Sequence, residues 1–338
     1  MSRRLLLITT AGGVKATEKY NSVYGNFILQ YIAFKRSLGY KYIGAEFRFR
    51  VFDRFAVQES CEQIGLTKGL FEKWMECRVN ESESNRYRRV NELINFSRYL
   101  NDLGIASYCP KNIPHIRSNF SPYIFTHDEI NRFFAACDER ANKNRRSSGL
   151  IYATPALFRL LYGTGVRINE ALHLETNDVY LNDGFFLLRS TKNRTERKVP
   201  FSDSVGDALR QYSYFKEKVF GSNTKYFFAN AGDTYWSKGA AYEHFRSILV
   251  QAKISHTEKG PRLHDLRHTF SVHTLAEMSS QGMDLYYSLP ILSKYLGHAS
   301  LEATEHYVRL TAEMYPELIE QANQLCAYVF PEVFDNGI

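Results

Sequence analysis

What this chain lacks narrows its chemistry first. None of its apolar runs is long enough to span a bilayer, and the mean hydropathy is -0.37, which excludes a spanning helix. The five cysteines (Cys61, Cys77, Cys109, Cys137, Cys326) are odd in number, widely spaced and never in a Cys-x-x-Cys pair. A disulfide framework and the usual zinc-knuckle spacings are thereby excluded. Unpaired thiols suit a reducing cytoplasm, where they serve as small core hydrophobes. The opening stretch places Arg3-Arg4 before a short apolar run, but that run is too brief for a signal peptide and Lys15 follows closely. Internal repeats and low-complexity tracts are absent as well.

What is present reads as ordinary globular protein. At 338 residues the chain exceeds what one hydrophobic core usually serves, so two domains are expected. Apolar residues make up 44% and charged residues 23%, and 24 Phe with 23 Tyr supply bulk for both cores. The net charge of +7 is unevenly spread: residues 1–123 carry +8, residues 124–307 carry +3 and the last 31 carry -4. A basic front end with an acidic tail fits a polyanion-binding surface, although charge alone fits a merely basic protein equally well.

Residues 1–19 lack periodicity and read as an arm. Helical spacing begins at Tyr20, with Val23, Phe27, Ile28, Tyr31 and Phe34 on one face up to Gly39. A second helix is expected over 45–58 with Phe47, Val51 and Phe55 inward, and a third over 67–78. A fourth runs from Ser84 to Leu103, with Val90, Leu93, Ile94 and Tyr99 inward and Arg86, Arg88, Arg89 and Arg98 outward. Residues 20–107 thus form a helical module with basic faces. Pro110, Pro114 and Pro122 mark 108–123 as a linker. Thr126 and Glu129 then form a capping box that opens a second domain at 124–311.

That domain is again mostly helical, with helices near 127–141, 152–163, 168–175, 204–218, 239–252, 264–278, 289–296, 300–306 and 312–328. One interruption stands out. Phe185 to Arg189 reads as a strand, Ser190 to Lys198 as a polar loop, and Val199-Pro200 as the return, making a β-ribbon.

Three short segments could carry chemistry. Gly163-Thr164-Gly165-Val166-Arg167 lacks the preceding strand and third glycine of a dinucleotide site, so it reads as a tight turn projecting Arg167. A guanidinium there can clamp phosphate oxygens or pair with Glu170. In Arg262-Leu263-His264-Asp265-Leu266-Arg267-His268, the leucines face inward while His264 and Arg267, three apart, share the other face. His264 and His268 lack the glutamate of a zincin and a third ligand, so no metal is expected and His268 reads as a structural histidine. Last come Leu296-Gly297-His298 and, nine residues after the histidine, Tyr307, expected at the end of a short helix.

Taken in order, Arg167, Lys192 in the ribbon loop, His264, Arg267, His298 and Tyr307 match the pattern of the tyrosine recombinases, the phage-integrase family. The second domain resembles their catalytic domain, and the helical module resembles their core-binding domain. The resemblance implies a mainly α fold in two parts: a SAM-like core-binding domain, and a mixed α/β catalytic domain with a small antiparallel sheet. It also implies a site-specific recombinase acting on double-stranded DNA without metal or cofactor, as a tetramer in the synapse, in the cytoplasm beside the nucleoid.

Breaking a phosphodiester without metal requires cations matched to its transition state, and two arginine forks suit that geometry. By resemblance, Tyr307 attacks to form a 3′-phosphotyrosine, Lys192 protonates the departing 5′-oxygen, and His264 and His298 bond the phosphate oxygens. Glu170 would support the arginine and histidine groups. Arg194, Arg197 and Lys198 share the ribbon loop with Lys192 and, like Arg86, Arg88 and Arg89, are candidate DNA contacts. Residues 312–338 carry an apolar stripe that the family pattern would dock onto a neighbouring protomer. With only about 19 residues ahead of the first helix, a separate sheet-bearing arm domain is not expected. The alternatives are a type IB topoisomerase-like enzyme, a chromosome-dimer resolvase and a non-catalytic DNA-binding regulator. The sequence leans toward a mobile-element integrase.

Overall fold

The computed structural model describes residues 20–111, 121–143, 149–189, 196–221, 223–230, 232–255, 260–298 and 300–316. The chain divides into two compact units, Met1–Phe120 and Ser121–Ile338.

Among its described residues the first unit holds four helices: α1 (Gly25–Ser37), α2 (Ile43–Gln58), α3 (Lys68–Met75) and α4 (Glu83–Asp102). The Thr67 hydroxyl accepts the Leu70 N–H at 3.2 Å and the Ser82 hydroxyl the Asn85 N–H at 3.4 Å, so α3 and α4 start on side-chain caps. Aromatic rings dominate the core, with Tyr31 edge-on to Phe49 and Phe52 edge-on to Trp74. Asp53, buried on α2, accepts the backbone N–H groups of Asn21 and Ser22 at 2.8 and 2.9 Å, which anchors the chain entering α1. Of the residues expected inward on α2, Val51 and Phe55 pack at the edge of the core, half-buried, and Phe47 does not. Ala45, Phe49, Phe52 and Ala56 point inward, while Phe47 is 62% exposed. This helix carries phenylalanine on several faces, so hydrophobic periodicity alone does not choose among them.

The second unit contains α5 (His127–Lys143), α6 (Gly149–Thr164), α7 (Ile168–Leu172), a three-stranded sheet, α8 (Asp203–Phe220), α9 (Lys238–Gln251), α10 (Asp265–Ser280), α11 (Leu285–Leu296) and α12 (Glu302–Met314). The expected capping box is present: the Thr126 N–H donates to Glu129 at 2.9 Å and the Glu129 N–H to the Thr126 hydroxyl at 3.2 Å. Helix α6 lies at the centre, packed against α5, α8 and α10. Its Leu157, Phe158, Leu160 and Leu161 share a core with Phe133, Phe245 and Leu266.

The sheet is antiparallel in the order β1 (Val179–Tyr180), β2 (Phe185–Leu188), β3 (Arg197–Pro200). Phe185 pairs with Pro200 and Leu188 with Arg197, so β2 and β3 are the two sides of the expected ribbon. Strand β1, only two residues long, has no pattern of its own in the sequence. Helix α11 begins four residues before its expected start and keeps Pro290 inside it. Where a short helix over 300–306 was expected, α12 runs on to Met314, with Tyr307 in its second turn; most of the helix expected over 312–328 lies outside the described residues. No glycine or proline interrupts 302–314, so nothing breaks that helix after Tyr307.

Candidate active site

The site forms where the ends of α6, α10 and α11 meet. Gly165, just past α6, has φ +60, and a Cβ there would lie 2.4 Å from Phe270 Cδ1. Only glycine fits such a turn. Its carbonyl accepts from an Arg267 guanidinium nitrogen at 2.6 Å. Two residues on, Arg167 is the N-cap of α7 and its side chain turns back to Glu170, N–H to Oε1 2.9 Å.

Arg267 sits in the first turn of α10 and is 2% exposed. Besides Gly165 it donates to the Leu296 carbonyl at 3.0 Å and to His298 Nε2 at 2.8 Å. Burial, and then the neighbouring Arg167, pull its pKa down to about 10. A guanidinium can only donate, so His298 Nε2 is the acceptor and its proton sits on Nδ1, donating to the Thr304 hydroxyl at 2.7 Å. Burial and the charge of Arg267 push His298 down to about 4, in keeping with a neutral ring. Both of its ring nitrogens are engaged in this arrangement. His264, the N-cap of α10, keeps an open edge, and partial burial with the charges of Arg267 and Arg167 lowers it to about 4.

Tyr307 is 1% exposed. Its ring packs among Val272, Leu275, Leu292 and Leu296, 4.0 Å from His306 and 6.4 Å from His298 between centroids. Its hydroxyl lies 2.8 Å from His268 Nδ1. Burial raises the phenol pKa, although Ser271, Arg267 and Arg167 pull the other way. Burial and the adjacent His264 drop His268 to about 3. His268 is therefore neutral, and its place is against the tyrosine rather than in a separate structural niche. The i,i+4 spacing of His264 and His268 carries this in the sequence, since it puts both imidazoles on one face of α10.

Arg167, His264, Arg267, His298 and Tyr307 thus converge in the second unit. Lys192 and Arg194 lie outside the described residues, as does the tail beyond residue 316 with its apolar stripe. Two candidate DNA contacts turn inward instead. Arg89 is 5% exposed, with its guanidinium on Glu81 at 2.6 Å and on the carbonyls of Trp74 and Glu76. The α4 position that looked outward by spacing faces the α3–α4 connection, which carries the carboxylate that binds it. Arg197 at the start of β3 pairs with buried Glu170 at 2.8 Å. Arg88 and Lys198 are exposed, and Arg86 is half-buried with its Nε on the Met75 carbonyl at 2.7 Å. Among the described residues no group of three His, Cys, Asp or Glu side chains converges as a metal site. No described helix is long and apolar enough to cross a membrane.

The phage integrase family profile matches residues 124–314, more than half of the chain. The chain belongs to the phage integrase family. It is a tyrosine site-specific recombinase, and the cluster described above lies wholly inside the matched segment. Among its relatives is the putative integrase/recombinase y4rB of Sinorhizobium fredii, 27% identical over 89% of this chain and 96% of that one. Tyrosine recombinase XerC of Lacticaseibacillus casei is 28% identical over 66% of this chain and 71% of its own. Among solved structures, the XerH recombinase bound to a palindromic difH substrate aligns over 82% of this chain and 78% of its own, with TM-score 0.61 at 19% identity. A lambda integrase dimer bound to a core site aligns over 83% and 94%, with TM-score 0.59 at 15% identity. At those identities the structural likeness speaks for the fold: a mainly helical, two-part chain with a small antiparallel sheet.

Proposed function

We propose that this recombinase cuts and rejoins double-stranded DNA by transesterification at Tyr307. Once DNA has raised the basicity of the cluster, the phenol gives its proton to one of the cluster's imidazoles, its oxygen bonds to the scissile phosphorus, the bond to the 5′-oxygen breaks, and a 3′-phosphotyrosine is left beside a free 5′-hydroxyl. Arg167 and Arg267 hold the non-bridging oxygens, His264 bonds one of them, and Lys192 delivers the proton to the departing 5′-oxygen. The energy of the broken ester stays in the new one, so rejoining needs neither nucleotide nor metal. The observation that carries this reading is the convergence of Tyr307 with Arg267 and His298 through α10 and α12.

The described conformation is a stored one. A phenol that is 1% exposed cannot touch a phosphate. Burial raises the phenol and lowers His268 to about 3, so both shifts oppose passing the proton to that imidazole in this conformation. His268 therefore stores the neutral phenol, and DNA binding must draw α12 outward and raise the basicity of the cluster. On the duplex the unit at 20–107 supplies core-DNA contacts, residues 108–123 act as the linker, 124–311 catalyse, and 312–338 link protomers into a tetramer. The proposed biological setting is a mobile element; the match to an integrase/recombinase over 89% of this chain supports an integrase-type activity.

Sequencing covalent protein–DNA junctions across a genomic library tests this reading. Junctions clustered at one recurring sequence with a free 5′-hydroxyl support it. Relaxation of plasmids lacking any specific site, without clustered junctions, would mean a topoisomerase-like enzyme instead.

A further inference from the structure

Glu170 is the carboxylate at the heart of the arginine cluster, 6% exposed at its side chain. Each of its oxygens serves two arginine residues. Oε1 accepts from the Arg167 guanidinium at 2.9 Å and from Arg197 at 3.3 Å. Oε2 accepts from Arg197 at 2.8 Å and from the Arg167 backbone N–H at 3.0 Å. Burial would push this carboxyl up, but the donors from Arg197 and from the Arg167 backbone outweigh it and hold it below the ordinary range. Glu170 is therefore an ionised carboxylate placed on the guanidinium that the reaction needs for phosphate.

Arg197 resolves that conflict. It opens β3, directly after the ribbon loop, with its side chain 11% exposed. A Cβ on Gly297 would lie 2.9 Å from one of its terminal nitrogens, so the bare backbone of Gly297 makes room for it beside His298. Its Nε is buried without a hydrogen-bond partner among the described residues. One side chain thus touches the helix carrying Arg167, the turn carrying His298 and the strand that leaves the ribbon.

We propose that Arg197 is a positioning residue: it shares the charge of Glu170, so that Arg167 is aimed by the carboxylate without being neutralised by it and stays able to bind a phosphoryl oxygen. This inference rests on the anion pocket of the proposed reaction, not on the identity of its nucleophile. Without Arg197, Glu170 would clamp Arg167 and compete with phosphate for it. A purely structural arginine predicts that removing Glu170 as well makes matters no better. A charge-sharing arginine predicts rescue.

Orthovanadate, which adopts the five-coordinate geometry of phosphoryl transfer, is the probe, titrated calorimetrically into the full-length protein. Arg197→Gln should weaken its binding about tenfold or more, and the double change with Glu170→Gln should return it to within about threefold of the unaltered chain. Arg197→Lys keeps the cation and should lose about threefold or less. If Arg197→Gln does not fold, Arg197→Lys and the double variant carry the comparison. Equal binding by Arg197→Gln, no recovery in the double variant, or a tenfold loss in Arg197→Lys each overturn the inference, as does an unaltered chain that binds no orthovanadate. A chain that passes this cycle yet never traps DNA covalently would sink the strand-transfer reading and leave the role of Arg197 standing.

Discussion

Tyr307 Oη and His268 Nδ1 lie 2.8 Å apart within a nest of leucines, joining α12 to α10 at the oxygen proposed as the nucleophile. A buried phenol that loses a partner costs roughly 1–3 kcal/mol, so this contact helps hold α12 on α10. Replacing His268 with leucine should destabilise the chain by about that amount. The same change in a Tyr307→Phe background should cost less by about 1 kcal/mol, because the hydroxyl is already gone. Urea unfolding of the four proteins measures the coupling, and strict additivity would show that the contact does not matter.

Acid should loosen the cluster. His268 and His298 have folded pKa values of about 3 and 4, below the unfolded value near 6.5, so the unfolded chain binds more protons between those limits. Their contribution is present at neutral pH and is lost as pH falls from about 6.5 toward 4. Asp265 works in the opposite sense: burial raises it to about 6, so protonation there favours the folded chain over part of the same window. With buried His273, also lowered to about 4, the histidines outweigh the one aspartate, and unfolding free energy should drop by a few kcal/mol, on the order of 4, between pH 7 and pH 5. A flat profile over that range, measured by denaturant titration, would contradict the burial described for these rings.

Gly165 carries two demands at once, a φ of +60 and a neighbour 2.4 Å from where a Cβ would sit. Gly165→Ala should cost about 2–4 kcal/mol and shift the carbonyl that receives Arg267. The fall in melting temperature reports the first effect. A loss of orthovanadate binding beyond that of an equally destabilised core variant reports the second.

Arg267 sets the tautomer of His298, and Thr304 steadies the ring by accepting its Nδ1–H. Thr304→Val removes the acceptor for Nδ1–H and frees the ring to flip, which should slow covalent capture of DNA about tenfold while leaving gel-shift affinity within about twofold. Equal losses in both assays would assign Thr304 to folding instead.

Much of this was legible in the sequence, for reasons that differ by residue. Gly165 and Gly297 mark turns, and His264 and Arg267 fall on one face by helical spacing, so the meeting of α6, α10 and α11 could be anticipated. The ribbon followed from Phe185–Leu188 and Val199-Pro200. Inward pairing of basic residues was harder to see. Arg89 and Arg197 are exposed by periodicity and buried by partners, and the carboxylates that receive them, Glu81 and Glu170, are 8 and 27 positions away. The face of α2 was lost among too many phenylalanines. Tyr307 was expected at the end of a short helix over 300–306, but that helix runs on to Met314. No breaker follows the phenol within 302–314, and the continued helix buries it against His268.

The most direct test concerns the phenol itself. Protein trapped on DNA during cleavage should be digested with protease and nuclease, and the nucleotide-bearing peptide sequenced by mass spectrometry. The nucleotide should sit on Tyr307 through its 3′-phosphate, and Tyr307→Phe should yield no adduct. An adduct on any other residue, or one that survives Tyr307→Phe, would contradict the assignment at its centre.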